Sequence, residues 1–333
     1  METRIGTDIA LAAGWLREGA LVGVPTETVY GLAANALDPD AVLQVFLAKG
    51  RPAFNPLIVH VDAWDSARSY VRDIPEVAAR LAERFLPGPL TLLLPKKEVV
   101  PDLVTAGSDR VALRVPAHPM LRELLTMLDF PLAAPSANPF GYVSPTCADH
   151  VRQGLGGRIP YILDGGACLV GLESTIVEVS DGIVWIRRNG GIPVGAIAEV
   201  AAGLEVRLAT RTEDHPVAPG QLKSHYATTT PLFVGPPPIL SDRFSGRRIC
   251  VIDHGPAVSV PDAWCRFQLS ADGTTEAMAR NLFAVMRQAD SCGADVILTD
   301  WVDPAGLGAA INDRLERACS QSDPTGGANA GIP

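Results

Sequence analysis

The strongest constraint on the fold is an alternation of short apolar runs with amphipathic helix patterns along the first part of the chain. Apolar runs of this length are typical of buried strands. They occupy residues 20–24, 57–61, 90–95, 111–115 and 131–134. Helix patterns lie at residues 7–18 and after Asp38-Pro39 and Ser144-Pro145, where a polar N-cap precedes a proline at the first helical position. Strands and helices that alternate in this way predict an α/β fold.

A β-hairpin is predicted near the end of this region. Its arms are residues 175–179 and 183–187, and the turn is 181–182, an Asp-Gly pair. Because the arms of a hairpin are antiparallel, Ser174 just before the first arm should lie beside Arg188 just after the second. If the second arm runs parallel to the other strands, both residues share a sheet edge with the loops that follow those strands.

The chain of 333 residues is long enough for two domains. Residues 208–230 are polar and rich in threonine and contain a Pro-Gly pair, which indicates a linker. Further strand and helix patterns follow it, at residues 247–253, 274–292, 295–300 and 307–319. We therefore predict a first domain at residues 1–207, a linker at 208–230, a second domain at 231–320 and a disordered tail at 321–333.

The charge balance and the cysteines exclude several classes of protein. The formal net charge is −9, from 37 acidic and 28 basic residues, which disfavours sequence-independent binding to nucleic acid because that binding needs phosphates to be neutralised. The six cysteines form no CxxC pair and no zinc-finger spacing. We expect them to be reduced and mostly buried in a cytoplasmic protein that has no metal site of its own. No apolar run approaches the ~18 residues of a membrane span.

Short polar motifs border the predicted strands. They read PTETVYG, KGRPAFNPL, RVP, PSAN, ESTIV and RRNGG, at residues 25–31, 49–57, 114–116, 135–138, 173–177 and 187–191. They supply cations, hydroxyls and glycines at strand ends, where ligands of open α/β sheets bind. This set of groups suits a nucleotide and a small polar acid. The chain has no Walker-type phosphate loop, complete GxGxxG, GxSxG or HExxH motif.

Each motif also has a purely structural interpretation. The threonines of PTETVYG can cap an ordinary loop, and PSAN suits a turn. Lys49 and Arg51 flank Gly50 at a helix C-terminus, where cations and glycine are favourable. His60 at a strand end can be a structural hydrogen-bonding residue. Arg114, inside an apolar strand, needs a partner, which is either a bound carboxylate or phosphate or an internal Asp or Glu.

Taken in order, the motifs resemble those of the YrdC-type family. The stretches PTETVYGLAANA, KGRPAFNPLIVHV, FLPGPLTLLL, APSANPFG and LESTIVEV carry the resemblance. The linker APGQLKSHYA and the α/β domain after it are similar to the long, two-domain threonylcarbamoyl-AMP synthases, although the linker reads HYAT where many relatives have HYAP. The resemblance implies an N-terminal YrdC-like mixed twisted sheet with flanking helices, a linker over the active site, and a smaller Rossmann-like C-terminal α/β domain.

The resemblance also implies an activity. The family joins L-threonine, bicarbonate and ATP, used with Mg²⁺, into threonylcarbamoyl-AMP and pyrophosphate. A downstream threonylcarbamoyl transferase complex then modifies tRNA next to the anticodon, so this chain would serve tRNA only indirectly and would need no membrane. Two alternatives stay open, a carbamoyl-adenylate-forming enzyme of the same fold and a non-catalytic nucleotide- or RNA-binding regulator.

The family's site residues carry over onto matching positions of this sequence. The resemblance implies contacts to threonine from Thr28, His60, Arg114, Ala134 and Ser174. It implies contacts to ATP from Arg51, Asn55, Arg110, Ser136, Asn138, Ser144, Arg188, His225 and Tyr226. Lys49 and Arg51 are the implied catalytic cations, facing the phosphates. His225 and Tyr226 belong to the linker and would close over the nucleotide.

Overall fold

The chain divides into two compact units. The structure is a computed structural model that describes residues 2–209, 218 and 225–319. Of these, the first unit takes residues 2–140, 144–209 and 218, and the second takes residues 141–143 and 225–319. The predicted tail and most of the predicted linker lie outside the described residues, so the linker and domain limits stay predictions.

An eleven-stranded mixed sheet forms the first unit. Its strands in chain order are β1 (Arg4–Gly6), β2 (Val22–Val24), β3 (Gly31–Asn35), β4 (Ile58–His60), β5 (Leu90–Pro95), β6 (Arg110–Arg114), β7 (Leu132–Ala133), β8 (Tyr161–Leu163), β9 (Thr175–Ser180), β10 (Ile183–Arg188) and β11 (Glu205–Leu208). Their spatial order is β1-β8-β2-β3-β7-β4-β6-β5-β9-β10-β11. Strands β3, β4, β6, β10 and β11 run in one direction, and the other six run against them.

Helices flank this sheet, and the main core lies on one of its faces. The helices are α1 (Ile9–Arg17), α2 (Pro39–Lys49), α3 (Glu76–Phe85), α4 (Asp102–Thr105), α5 (Pro119–Thr126), α6 (Ala148–Leu155) and α7 (Val194–Ala201), with a 3₁₀ turn at Asp65–Ser69. Val45 of α2, Leu81 of α3 and Ile197 of α7 join the core that also contains Val111 and Leu113 of β6. A second apolar cluster lies between α1 and α5.

The start and end of α2 follow the sequence signals closely. The side chain of Asp38 accepts a hydrogen bond from the backbone N–H of Asp40 at 2.9 Å, and Pro39 opens the helix. Gly50 ends it in the left-handed conformation, with φ of 63°. This cap matters for the site because it sets the position of Lys49 in the last turn.

Most predicted strands are present, but one predicted helix start is wrong. The hairpin of β9 and β10 is confirmed, and its turn has positive φ at both Asp181 and Gly182, as a type I′ turn requires. By contrast, α6 begins at Ala148 after Cys147 rather than at Ser144-Pro145. The hydroxyl of Ser144 is not a cap because it donates to the carboxylate of Glu173 at 2.7 Å.

The condition for a shared edge of the sheet is not met. The loops PTETVYG and PSAN follow β2 and β7, and these two strands run against β10. Strand direction alone therefore places those loops at the opposite edge from Ser174 and Arg188. The mixed sheet is the reason, because an edge rule for parallel strands does not apply when neighbours alternate in direction.

The second unit is a smaller parallel α/β domain, as predicted. Its strands are β12 (Leu232–Val234), β13 (Ile249–Asp253), β14 (Cys265–Gln268) and β15 (Val296–Thr299), in the spatial order β12-β15-β13-β14. All three strand pairs are parallel. Its helices are α8 (Pro237–Arg243), α9 (Thr275–Ser291) and α10 (Gly308–Ala318). Among the described residues, no helix is both long and apolar enough to cross a membrane.

The cysteines are less buried than predicted. All six are free thiols, but only Cys168 and Cys250 are buried, and the other four are partly exposed. The expectation of mostly buried cysteines failed because spacing along the chain carries no information about the face on which each residue lies.

The N-cap of α2 provides a test of this part of the fold. Replacing Asp38 with alanine should lower the free energy of unfolding by about 1 kcal/mol, because two backbone N–H groups lose their acceptor. Urea denaturation monitored by circular dichroism measures this change. The control Glu83→Ala, at an exposed site inside α3, should stay within about 0.5 kcal/mol of the parent. Equal stability of both variants would show that Asp38 does not cap the helix.

Candidate active site

One face of the first sheet carries the polar side chains. In β6, Val111 and Leu113 point into the main core, so Arg110, Ala112 and Arg114 point to the opposite face. The neighbouring strand β4 places His60 directly beside Arg114. Strand alternation therefore separates a core face from a polar face, which is the candidate active site.

A small apolar patch lies on the same polar face. Ile58, Leu93, Ala112 and Ile176 come from four strands, and Ala218 of the predicted linker packs against them. Ala218 is fully buried. This contact shows that one residue of the predicted linker covers part of the polar face. The rest of the linker's predicted path over the site stays a prediction.

The site contains a buried ion pair between Arg114 and Glu27. The guanidinium Nη2 lies 2.6 Å from Oε1 of Glu27, and the other carboxylate oxygen accepts the N–H of Ala117 at 3.0 Å. Burial alone would raise the pKa of Glu27, but the charge and hydrogen bond of Arg114 outweigh it and hold that pKa below its usual value. Of the two partners that the sequence allowed for Arg114, the internal acidic residue is present. The sequence did not identify this residue as Glu27.

His60 is a neutral imidazole beside this ion pair. Burial lowers the pKa of His60 to about 3, and the positive charge of Arg114 acts in the same direction while Glu27 opposes it. Its Nδ1 atom has no hydrogen-bond partner within the described part of the chain. A buried ring nitrogen without a partner is available to a ligand.

The threonines of PTETVYG shape their own loop. The hydroxyl of Thr26 donates to the carbonyl of Val29 at 2.7 Å and accepts the N–H of Thr28 at 3.0 Å. The two threonine hydroxyls lie 2.7 Å apart, and Thr28 is fully buried. The capping interpretation of this loop is confirmed for Thr26. The contact of Thr28 with threonine stays a prediction.

Lys49 fastens the PSAN loop to the end of α2. Its ammonium donates to the backbone carbonyls of Ser136 and Asn138. Burial, assisted by the charge of Arg51, holds the pKa of Lys49 well below its usual value. Lys49 therefore does more than complement the helix C-terminus, because it also sets the conformation of a second loop of the site.

Arg51 shapes the loop that follows α2. Its Nε donates to the carbonyl of Asn55 at 3.1 Å and its Nη2 to that of Pro56 at 2.8 Å. The side-chain amide of Asn55 is 1% exposed, and neither of its polar atoms has a hydrogen-bond partner among the residues described. This loop continues into β4, where the N–H of Ala134 bonds to the carbonyl of Ile58 at 3.0 Å.

Ser174 and Arg188 meet, as the hairpin predicted. Nε of Arg188 donates to the carbonyl of Ser174 at 3.1 Å, and Nη2 donates to its hydroxyl at 3.0 Å. The hydroxyl of Ser174 also lies 2.7 Å from that of Thr91. Gly190 must be a glycine, because a Cβ there would overlap the backbone of Glu173 and Ser174. The sequence pointed to the RRNGG motif but not to this steric requirement for a glycine at position 190.

Arg110 belongs to a charge cluster on the same face. Its Nε lies 3.0 Å from Oε1 of buried Glu178, and Nε of Arg187 donates to the other oxygen at 2.6 Å. The carboxylate of Glu178 thus forms ion pairs with both Arg110 and Arg187. The sequence analysis missed Glu178, although a lone acid in the apolar strand TIVEV was the signal that could have identified it.

His225 and Tyr226 lie in the second unit. The ring of Tyr226 is buried, with its centroid 5.4 Å from that of Phe283. The guanidinium of Arg317 lies 4.8 Å from the centroid of the Tyr226 ring, and His225 packs against the edge of that ring. Tyr226 adopts a positive φ of 65°, which is uncommon for an aromatic residue. Their closure over a nucleotide stays a prediction.

The fold and the polar face define a two-domain protein with a YrdC-like N-terminal α/β domain. A family model described as telomere recombination matches residues 15–190, and one described as the C-terminal domain of threonylcarbamoyl-AMP synthases matches residues 192–320. The chain belongs to the threonylcarbamoyl-AMP synthase family, whose activity is of the nucleotidyltransferase type and serves threonylcarbamoyl modification of tRNA.

Individual relatives match nearly the whole chain. The threonylcarbamoyl-AMP synthase of Pyrococcus abyssi is 43% identical over 93% of this chain and 93% of its own length. That of Bacillus subtilis is 39% identical, with coverage of 93% and 92%. The crystal structure of P. abyssi Sua5 complexed with L-threonine superimposes with a TM-score of 0.88 at 41% identity, covering 96% of this chain and 97% of that one.

The neutral state of His60 predicts a specific pH dependence of stability. Its pKa falls from 6.5 in the unfolded chain to about 3 in the folded protein, so between these values only the unfolded state binds the proton. Stability should therefore fall as the pH drops below 6.5, by up to about 1.4 kcal/mol per pH unit. Replacing His60 with glutamine should remove this slope. Urea unfolding of both proteins from pH 8 to pH 5 measures it.

The pH range supplies the control for this experiment. Above about pH 7 the curves of the parent and His60→Gln should run parallel, since the imidazole is neutral in both states. Below the usual pKa of Glu27 the carboxylate begins to contribute as well, so the comparison stops at pH 5. A parent slope that persists unchanged in the variant would show that His60 is not buried as a neutral group.

Proposed function

We propose that the first unit binds L-threonine and ATP on its polar face and joins them through bicarbonate, giving threonylcarbamoyl-AMP and pyrophosphate. The observation that carries this proposal is that the amide of Asn55 and Nδ1 of His60 are both buried and have no hydrogen-bond partner among the described residues. Each unpaired buried polar group costs about 1–3 kcal/mol. Such groups are expected where a polar ligand completes the hydrogen bonds. Family membership supplies the identity of the ligands.

The threonine would bind near His60 and Arg114. The guanidinium has five N–H donors, and two of its bonds go to Glu27 and to the carbonyl of Gly88. Donors therefore remain for a substrate carboxylate. The neutral ring of His60 can exchange a hydrogen bond with the threonine hydroxyl or amine. The resemblance adds the hydroxyls of Thr28 and Ser174 and the backbone at Ala134 as further proposed contacts. The relative crystallised with L-threonine supports this substrate.

The nucleotide would bind along the loops that Lys49 and Arg51 hold. The ammonium of Lys49 has three donors, and two of them are used by the carbonyls of Ser136 and Asn138. A triphosphate near this amine would favour its charged form and raise its pKa. Lys49 and Arg51 are therefore the proposed groups that stabilise negative charge as pyrophosphate leaves. The amide of Asn55 would hydrogen-bond to the same ligand.

The chemistry requires positioning rather than a covalent enzyme intermediate. The threonine nitrogen attacks the carbon of bicarbonate, and water leaves to give the carbamate. A carbamate oxygen then attacks the α-phosphorus of ATP, and the bond to the β-phosphate oxygen breaks. The site accelerates this sequence by holding the reactants in line and by excluding water from a labile carbamate. Ala218 on the polar face supports such a cover.

The described residues offer no protein cage for Mg²⁺. The buried acids of the polar face are engaged, Glu27 by Arg114, Glu173 by Ser144, and Glu178 by two arginines. Mg²⁺ would therefore enter with the ATP phosphates as part of the substrate, with most of its ligands from phosphate and water. The downstream transferase complex, the indirect role of tRNA and the cytoplasmic location stay predictions.

The two alternative functions are less well supported. A carbamoyl-adenylate enzyme of this fold would be expected beside other catalytic domains, whereas residues 192–320 match the C-terminal domain of the threonylcarbamoyl-AMP synthases. A non-catalytic regulator would have no need of buried cations at two loops together with a buried neutral histidine.

Substrate dependence tests the proposed reaction. Pyrophosphate release from ATP should require both L-threonine and bicarbonate. Serine should be a weaker substrate by roughly 10- to 200-fold in kcat/KM, because a missing methyl group in a small pocket costs about 1–3 kcal/mol. A coupled pyrophosphate assay with each substrate omitted in turn measures this. Undiminished turnover with carbamoyl phosphate in place of threonine would support the carbamoyl-adenylate alternative, and no turnover at all would support the regulator.

The amide of Asn55 provides a sharper test of the site. Asn55→Ala should weaken ATP binding or turnover at least tenfold, since one lost hydrogen bond to a charged group costs about 1.5–3 kcal/mol. Its thermal stability should stay the same or rise, because the buried amide lacks partners in the described chain. Pyrophosphate release and differential scanning fluorimetry provide the two measurements.

A second asparagine gives the matched control for Asn55. The amide of Asn312 both donates to and accepts from the backbone of Val302, at 2.7 and 2.9 Å. Asn312→Ala should therefore lose about 1–3 kcal/mol of stability and keep its activity. An Asn55→Ala variant that loses stability and keeps activity would show that Asn55 has only a structural role.

A further inference from the structure

Three cysteines of the second unit bring their sulfur atoms together. Cys250 lies on β13, Cys265 on β14, and Cys292 directly after α9. Their Sγ atoms all lie within 4.8 Å of one another. Among the residues described, no other three His, Cys, Asp or Glu side chains form a group of this kind. Thiolate sulfur is the ligand preferred by thiophilic metal ions such as Zn²⁺ and Cu⁺.

The fold holds these three sulfurs on separate elements. Strands β13 and β14 are parallel neighbours, and Cys250 is the register partner of Cys265. Trp264, the residue before Cys265, donates from Nε1 to the carbonyl of Cys292 at 3.0 Å, which ties the start of β14 to the end of α9. The backbone position of each cysteine is therefore fixed by secondary structure. Cys250 is fully buried and the other two are partly exposed, so a metal ion has a route from solvent.

The spacing suits a metal ion bound by three sulfurs. A Zn–S bond of about 2.3 Å places two sulfurs about 3.8 Å apart in a tetrahedral site and about 4.0 Å apart in a trigonal one. The observed upper limit of 4.8 Å exceeds these values by less than about 1 Å, a change that side-chain rotation can supply. Three protein ligands leave one tetrahedral position for water or another small ligand.

The charge of the metal-bound cluster would be small. Binding of a divalent ion to three thiolates gives a net charge of −1. Arg248, two residues before Cys250, forms an ion pair with Asp295 at 2.9 Å, and its guanidinium lies 5.6 Å from the ring centroid of Trp264.

We propose that Cys250, Cys265 and Cys292 form a binding site for a thiophilic divalent metal ion, with Zn²⁺ as the representative ion. Three thiolates would bind the metal, and one coordination position would face solvent. None of the three cysteines is among the residues assigned to the proposed adenylate chemistry. It would fasten β13, β14 and the end of α9 together, and so stabilise the second unit.

Zinc binding to the reduced full-length protein tests the proposal. Titration against a chromophoric chelator should give one Zn²⁺ per chain, and the melting temperature should rise with zinc. Co²⁺ in place of Zn²⁺ should produce a thiolate-to-cobalt charge-transfer band. Both signals should be lost in Cys265→Ser and Cys292→Ser, whose sites are partly exposed, so the serine variants should fold. Binding should weaken as the pH falls, because three protons compete with the metal.

A control variant and two contrary outcomes complete the test. Cys319→Ser, at the end of α10 and outside the cluster, should bind zinc like the parent. Pyrophosphate release should also be the same in the parent and Cys265→Ser. The proposal fails if the reduced parent retains no more zinc than Cys265→Ser. It also fails if mass spectrometry of the protein as isolated shows two of the three cysteines joined in a disulfide, since that would indicate a redox pair.

Discussion

The buried ion pair between Arg114 and Glu27 is the interaction on which the candidate site depends. It joins the end of β6 to the loop after β2, two segments that strand direction alone would keep apart. The second oxygen of Glu27 bonds to the N–H of Ala117, so one carboxylate orders both the strand end and the turn beyond it. Removing one partner of such a pair typically costs about 3–5 kcal/mol, since the other charge stays buried. Burial is the main reason that the ring of His60 is neutral; the charge of Arg114 adds to this effect and that of Glu27 opposes it.

Cations organise the remaining loops in a similar way, but through backbone carbonyls. Lys49 holds the PSAN loop, Arg51 holds the loop before β4, and Arg188 holds the backbone before β9. Each cation is therefore in place before any ligand binds. Catalysis of phosphoryl transfer by positioned charge requires this, because charges that move during the reaction stabilise the transition state less than charges already fixed. The same residues thus stabilise the loops and would provide the positive field for the proposed nucleotide.

The sequence predicted those features that depend on neighbours along the chain. The caps of α2, the turn at 181–182 and the contact of Ser174 with Arg188 all follow from local signals and are present. The predictions that failed required knowledge of strand direction or of distant partners. Ser144 looked like a cap because its partner Glu173 lies far along the chain.

The same limit explains why Glu27, Glu178 and the cysteine cluster were missed. A motif shows that a charge is present, but only the folded sheet shows which other charge lies opposite. Glu178 of β9 pairs with Arg110 of β6 because β5 lies between these two strands and both side chains point to the same face. The cysteine sulfurs meet for a similar reason, since adjacent strands and a helix end bring together residues that no spacing rule connects.

The division of the sheet into two faces also separates stability from function. The core face, with residues such as Val111 and Leu113, contributes the apolar burial that holds the first unit together. The polar face holds a neutral histidine and a paired arginine, and the loop before β4 holds the amide of Asn55, arrangements that cost free energy without a ligand. In the proposed complex a bound polar substrate would restore the missing hydrogen bonds, so part of its binding energy would offset a cost already present in the folded protein. This difference favours ligands with donors and acceptors at the right positions over those that lack them, and so contributes to substrate specificity.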